Sequence, residues 1–529
     1  MLCPADPMPA DAAHASMKRR RPSSSPCSDL YGKTGVFLLF AFIAILVGSL
    51  FYAYQPVPWN GDDWWYLAKG NEIYPSPEKW NPARILPGLI MPLCGYTAAY
   101  LIYPFTPLDY VQSLIFVSGL AGAVSFMVAA CAAYALFRSV TGSRIFSCFL
   151  LIMFLCPLFI GADNTMPAGV PASGPCTIFY YYIPNMLNTA MFLFLCKLHL
   201  KSYRIIDNST PMYHNINKLF NNNKYFLFCF LSIIYFILFS MTTASIIPTA
   251  YAGGCIFIDI FLSCKLYKNI KFGIENFIKN LSFVQLLFIF VLLLWSIAAI
   301  YDYNGDRYNS LHNEDSIIPV TEAVNLFFAG LQHAFSIHIF ILLGITFVIY
   351  LSIILYKLFI KKYLDKNDRI FLYFISSSFL SCIVIIALNI LILASTGKNL
   401  GNNAMFGLLI YINLMLCAFA IYICIRIPSI FFLLPILSIH ILSLLWITDP
   451  WVERPYKEAE YQKSIINQWI KDIERADKNN LTQAIIYTPT LKWPHDEMNM
   501  GNFLSYTLYK HGIISRKIKI LTTDNINKI

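Results

Sequence analysis

The stretch Trp59-Asn60-Gly61-Asp62-Asp63-Trp64-Trp65-Tyr66 sets two carboxylates side by side, just after an apolar run. Like charges this close push one pKa upward, towards the range useful for proton transfer, so the pair is a candidate general base. The same pair also suits a solvated loop start or a helix cap. The rings beside it, Trp64 and Tyr66 among them, fit either an aromatic belt at a membrane interface or a sugar-stacking platform.

Isolated cations stand at the edges of other apolar runs. Arg84 opens the stretch 85–105, and its guanidinium suits a phosphate because it binds in a bidentate way and stays charged. Lys398 lies in Gly397-Lys398-Asn399-Leu400-Gly401-Asn402-Asn403, where glycines permit close backbone approach and Asn402 can contact a ligand. Arg307 is the permanent cation of the 302–336 loop, beside Asp302, Asp306 and His312. Snorkelling to lipid headgroups is the plain alternative for Arg84 and Lys398. Tyr181 and Asn185, in Tyr180-Tyr181-Tyr182-Ile183-Pro184-Asn185, and His495, in Trp493-Pro494-His495, are further candidate substrate contacts; packing explains them equally well. His333, His338 and His440 are scattered without metal-ligand spacing, and the 14 cysteines form no CxxC pair, so no metal site is expected.

The elements that must position these groups are membrane helices. Hydrophobic residues make up 57% of the 529, and charged residues 13%, about half the share of a soluble domain. Mean hydropathy is +0.57. These values exclude a soluble enzyme, a disordered chain and a disulfide-knotted module, and the unbroken apolar runs disfavour a β-barrel. The net charge of +10 forms no basic face for nucleic acid; the cations cluster between apolar runs.

The expected fold is an all-α polytopic membrane protein. Residues 1–33 form a basic cytoplasmic N-terminus. A transmembrane domain of about eleven crossings spans 34–448, with residues 55–111 as its first outer loop, and 449–529 form a small outer α/β domain. Expected crossings run from Val36 to Tyr54 and over 112–137, 145–162, 178–198, 225–243, 248–264, 281–301, 337–358, 371–396, 404–425 and 429–447. This threading puts 22 Lys and Arg on the inner side and 5 in the outer loops, as the positive-inside rule requires. Residues 85–105 are apolar enough to span, but a crossing there would invert every later loop. They are read as a re-entrant or interfacial pair of short helices, broken by Pro87, Pro92 and Gly95. In the tail, 456–477 reads as an amphipathic helix, 483–487 as a strand, 499–511 as a helix ended by Gly512, and 517–521 as a strand.

With an acidic pair after the first membrane helix, many helices and an outer C-terminal domain, the chain resembles the GT-C class of membrane glycosyltransferases. Within that class NGDDWWYL, NPARILPGLIMPL, YYYIPNMLN, GKNLGNNAMFGLLIY and WPH with MGNFLSYTLYKHGI are similar to the serotype-converting O-antigen glucosyltransferases of enteric bacteria and their phages. The resemblance implies transfer of a sugar, glucose, from undecaprenyl-phosphate-sugar to lipid-linked O-antigen at the periplasmic face of the inner membrane, with inversion. The donor would come from a synthase and a flippase encoded alongside. Asp62 or Asp63 would be the base, with Asp62 favoured by its four-residue spacing to Tyr66. Arg84, Lys398 and Arg307 would hold the donor phosphate. No cofactor is required, since fixed cations can stabilise a single phosphate. An O-antigen polymerase or ligase would place functional Arg and His in large later loops, and the 302–336 loop offers few. A flippase or transporter would carry charges along its helices, where Asp259 is nearly alone.

Overall fold

In the computed structural model the described residues are 26–69, 85–159, 174–206, 227, 230–235, 242–279, 281–303, 318–334, 337–361, 364–396, 402–428, 453–487 and 497–523. They are mostly helical. Helices α1 (Pro26–Ala53), α2 (Gly61–Ala68), α3 (Ile85–Thr97), α4 (Tyr110–Thr141), α5 (Arg144–Leu155) and α6 (Ile183–Ile206) make up the first half. Then come α7 (Thr242–Tyr267), α8 (Ile270–Lys279), α9 (Phe283–Tyr303), α10 (Val320–Ala334), α11 (Ile337–Phe359), α12 (Lys366–Thr396) and α13 (Asn402–Arg426). Among the described residues, eight helical runs are long and apolar enough to cross a membrane; Ile85–Phe105 is one of them, whereas the expected crossings at 145–162 and 178–198 are not. The chain is a polytopic membrane-embedded protein. The expected crossing at 429–447 and most of the one at 225–243 lie outside the described residues.

Contacts fix the order of the bundle. The α1 and α4 helices are antiparallel: the Phe51 ring lies on the backbone at Gly119 and Gly122, and Phe40 meets Tyr134 edge-on at 5.7 Å. Gly122 is needed because any Cβ there would enter the Phe51 ring. The α13 helix is buried almost throughout and runs against α5, where Asn413 Nδ2 donates to the Phe154 carbonyl at 3.0 Å. At one end of the bundle a buried ionic staple joins α11, α12 and α13. Asp368 accepts from Lys357 at 2.7 Å, from Arg426 at 2.6 Å and from Tyr422 at 2.6 Å, and Arg426 also reaches Asp365 at 2.6 Å. With its partners present the cluster fixes helix register; removing Asp368 would leave two part-buried cations sharing Asp365.

The C-terminal residues occupy the other end. They fold as α14 (Glu453–Lys478), β1 (Gln483–Tyr487), α15 (Glu497–Lys510) and β2 (Lys519–Thr523), with β1 and β2 paired in parallel. The turn after α15 uses Gly512 at φ +70°, a left-handed conformation suited to glycine. Gln55 donates to Glu460 at 3.1 Å, and Trp59 stacks on Trp469 at 5.9 Å, so the C-terminal end of α1 meets α14. Asn467 donates to Asp109 at 3.1 Å, so the N-terminal end of α4 meets the same helix.

Residues 85–105 differ from expectation in shape. They form one helical run, with a π turn at Ala98–Ile102 and a 3-10 turn at Tyr103–Phe105, in place of two broken pieces. Pro87 lies in the first turn, where its missing N–H costs nothing, and Pro92 is carried inside the helix by packing. Gly95 is a contact residue rather than a breaker: the Leu67 carbonyl sits where its Cβ would be. Along this run Met91 meets Cys176, Tyr96 bonds Ala68, Tyr100 bonds Lys510, and Tyr103 meets Tyr110. All of these partners lie at the bundle end that carries the C-terminal elements. Two further departures are amphipathic helices, α8 and α10, in segments expected to be loops.

Candidate functional site

The acidic pair begins α2, a helix of only two turns that is marginal without its ends tied down. Its N-terminus is closed by a capping box: the Asn60 side chain accepts from the Asp63 N–H at 3.0 Å, and Asp63 Oδ2 accepts from the Asn60 N–H at 3.2 Å. The Trp59 N–H adds a second bond to the same oxygen, at 3.1 Å. Asp63 Oδ1 accepts from the Cys176 N–H at 2.8 Å, which ties α2 to the helical run 175–182 that leads into α6. Gly174, at φ +110°, precedes that run, and a Cβ there would stand 3.1 Å from Asp63 Oδ2.

The two carboxylates therefore have different environments. Asp63 is 0% exposed, and burial pushes its pKa up to about 6, against the lowering effect of the backbone N–H donors from Cys176, Asn60 and Trp59. Asp62, one residue earlier, is exposed to solvent at the first turn of the helix. A hydroxyl can approach Asp62 directly, whereas the lone pairs of Asp63 already serve the backbone.

The far end of α2 is held by the C-terminal elements and by α3. Thr507 Oγ1 donates to the Trp64 carbonyl, His511 Nε2 to the Leu67 carbonyl at 3.1 Å, and the Tyr96 hydroxyl to the Ala68 carbonyl at 3.1 Å. Carbonyls of a last turn have few partners within their own helix, so these side chains act as its cap. The bond to Leu67 assigns the proton of His511 to Nε2, which leaves Nδ1 to accept from the Tyr110 hydroxyl at 2.7 Å. Burial pulls the His511 pKa down to about 4, partly opposed by the Leu67 bond. Asp62 is thus fixed through α2 by three separate parts of the chain: the segment at Cys176, α3 and the C-terminal elements.

Trp64 is fully buried at the junction, so it packs there and offers no ring face for a sugar. Trp65 is half-buried against Phe503 at 4.7 Å and Tyr506 at 5.6 Å. Tyr66 meets Tyr180 at 5.2 Å, so the segment with Tyr181 and Asn185 does come beside α2; Asn185 is itself buried. Arg84, Arg307, Lys398 and His495 lie outside the described residues. Asn402 is the first residue of α13, and its side chain is likewise outside them. The residues that sequence reasoning missed are Cys176, Gly174, Thr507, Tyr96 and His511. The dipeptide Gly174-Pro175 is a turn signal that could have drawn attention to one of them. An apolar crevice between α4, α6, α12 and α13, lined by Phe137, Leu200, Phe371 and Ile421, carries no polar side chain for chemistry.

No family model, no curated protein and no solved structure matches the chain.

Proposed function

We propose that the chain is a GT-C-type membrane glycosyltransferase. It moves glucose from undecaprenyl-phosphate-glucose to lipid-linked O-antigen at the periplasmic face of a bacterial inner membrane. In this reading the N-terminus is cytoplasmic, and the outer face carries α2 and a periplasmic α/β unit formed by 453–523. Asp62 is the general base. The observation that carries the reading is the division of labour within the acidic pair: a buried Asp63 locked by three backbone N–H groups, and an exposed Asp62 held rigidly next to it.

Such a base must take the proton of the acceptor hydroxyl as the glucosyl carbon forms its new bond and the lipid phosphate departs. The leaving phosphate then needs fixed cations, for which Arg84, Lys398 and Arg307 are the residues proposed. A lipid-bound donor never leaves the bilayer, so a rigid outer-face helix only has to meet it in two dimensions. Chemical analysis of O-antigen from cells with and without the gene tests the function. Added glucose in its presence is the expected result, and an identical glycan in both strains rejects the proposal.

A further inference from the structure

Three lysines converge on one aromatic patch where α2 meets α15. Lys69 Nζ stands 4.0 Å from the centre of the Trp65 ring. Lys517 Nζ and Lys510 Nζ stand 4.8 Å and 5.8 Å from the centre of the Tyr506 ring, and Tyr506 packs on Trp65. The rings hold the ammonium groups close together by cation–π attraction, against their mutual repulsion. Among the described residues none of the three makes an ion pair. Lys510 and Lys517 are exposed, and Lys69 is half-exposed.

The patch adjoins an apolar edge. The Tyr100 hydroxyl donates to the Lys510 carbonyl at 2.9 Å, joining the end of α15 to the run 85–105. One side of that run is buried; the other exposes Leu89, Leu93, Leu101 and Phe105 in a stripe at helical spacing. In a membrane-embedded chain this stripe faces acyl chains, which puts the lysines at headgroup depth.

We propose that Lys69, Lys510 and Lys517 form a binding site for the phosphate of a membrane lipid, whose tail lies along the exposed stripe of residues 85–105. Three ammonium groups more than neutralise the one or two negative charges of a phosphate ester, and the adjoining stripe favours a lipid over free phosphate. Two lipid sources share this chemistry, a glycerophospholipid and a polyprenyl phosphate. The site is independent of Asp62 and of the transfer reading: a protein inactive in transfer would still bind the lipid.

The test uses the full-length protein in phosphatidylcholine nanodiscs. Phosphatidylglycerol, undecaprenyl phosphate and inorganic phosphate are titrated separately, and bound molecules are counted by native mass spectrometry. The triple variant Lys69→Gln, Lys510→Gln, Lys517→Gln should weaken lipid binding about a hundredfold, and each single variant about fivefold. The exposed Lys471→Gln should leave it unchanged. Thermal midpoints verify folding; if the triple variant does not fold, Lys510→Gln and Lys517→Gln carry the test. Loss for either lipid supports the site, and the lipid affected names the source. Equal occupancy in wild type and variants, or binding of inorganic phosphate alone, overturns it.

Discussion

The carboxylate of Asp63 accepts a hydrogen bond from the backbone N–H of Cys176, 113 residues later, and this bond joins α2 to the helical run that leads into α6. Its geometry separates the roles of two neighbouring aspartates. Asp63→Asn would turn one acceptor oxygen into an N–H₂ donor facing either Cys176 or the Trp59 and Asn60 pair. A buried donor-to-donor contact of that kind should cost about 1–3 kcal/mol. Asp62→Asn, on an exposed position, should change the stability of the purified protein by less than about 0.5 kcal/mol, with a thermal midpoint close to wild type. Equal midpoints for the two variants would mean that Asp63 does not lock α2.

Gly174→Ala probes the other side of the same contact. The residue sits at φ +110°, and an added Cβ would press on Asp63 Oδ2. Strain and displacement of the carboxylate should together cost about 1–3 kcal/mol and shift α2. Loss of both stability and activity is expected, measured as a lower midpoint in detergent and slower transfer. A variant with wild-type behaviour in both would remove Gly174 from the account.

Acid should act on the site through two groups of opposite sign. His511 is held neutral, with its pKa near 4 against 6.5 for a free histidine. Between those values the unfolded chain binds more protons, so its contribution to stability is present above pH 6.5 and lost as pH falls towards 4, about 3 kcal/mol in the limit. Asp63 runs the other way: its pKa is raised from 3.8 to about 6, so the folded chain binds more protons between them and acid stabilises it. The wild-type curve of midpoint against pH should therefore be shallow in this window. His511→Gln should gain relative stability on acidification, and Asp63→Asn should lose it. Parallel curves for all three proteins would contradict both assignments.

The membrane path of residues 85–105 gives a topological prediction. The C-terminal end of α1 and the N-terminal end of α4 both touch α14, with this run between them. A reporter fused after Phe105 should therefore read the same side as one fused after Gln55, which is the periplasmic side in the proposed orientation. A cytoplasmic signal there would require the run to cross.

Much of the secondary structure was legible in the residues. The strand at 483–487 and the helix stop at Gly512 follow from local pattern, and Asn60 with Asp63 spells a capping box in four letters. Local pattern misjudged Pro92 and Gly95, because their tolerance depends on what packs against them: Gly95 exists to admit the Leu67 carbonyl from another helix. The candidate site was legible as an acidic pair and, in part, as the segment with Tyr181 and Asn185 that comes beside it. Which aspartate is buried depends on Cys176 and Gly174, and the cap on α2 depends on Thr507 and His511; no spacing within the first loop encodes partners so far along the chain. Trp64 shows the same limit, since a ring that reads as a sugar platform becomes core once α15 covers it.

The most direct test of the central claim is transfer by Asp62→Asn. Asparagine keeps the size and removes the basicity, so a base at this position predicts a loss of about 10²-fold or more in glucose transfer from undecaprenyl-phosphate-glucose to lipid-linked O-antigen. Expression, thermal midpoint and donor binding should stay near wild type. Transfer at the wild-type rate by Asp62→Asn would contradict the account.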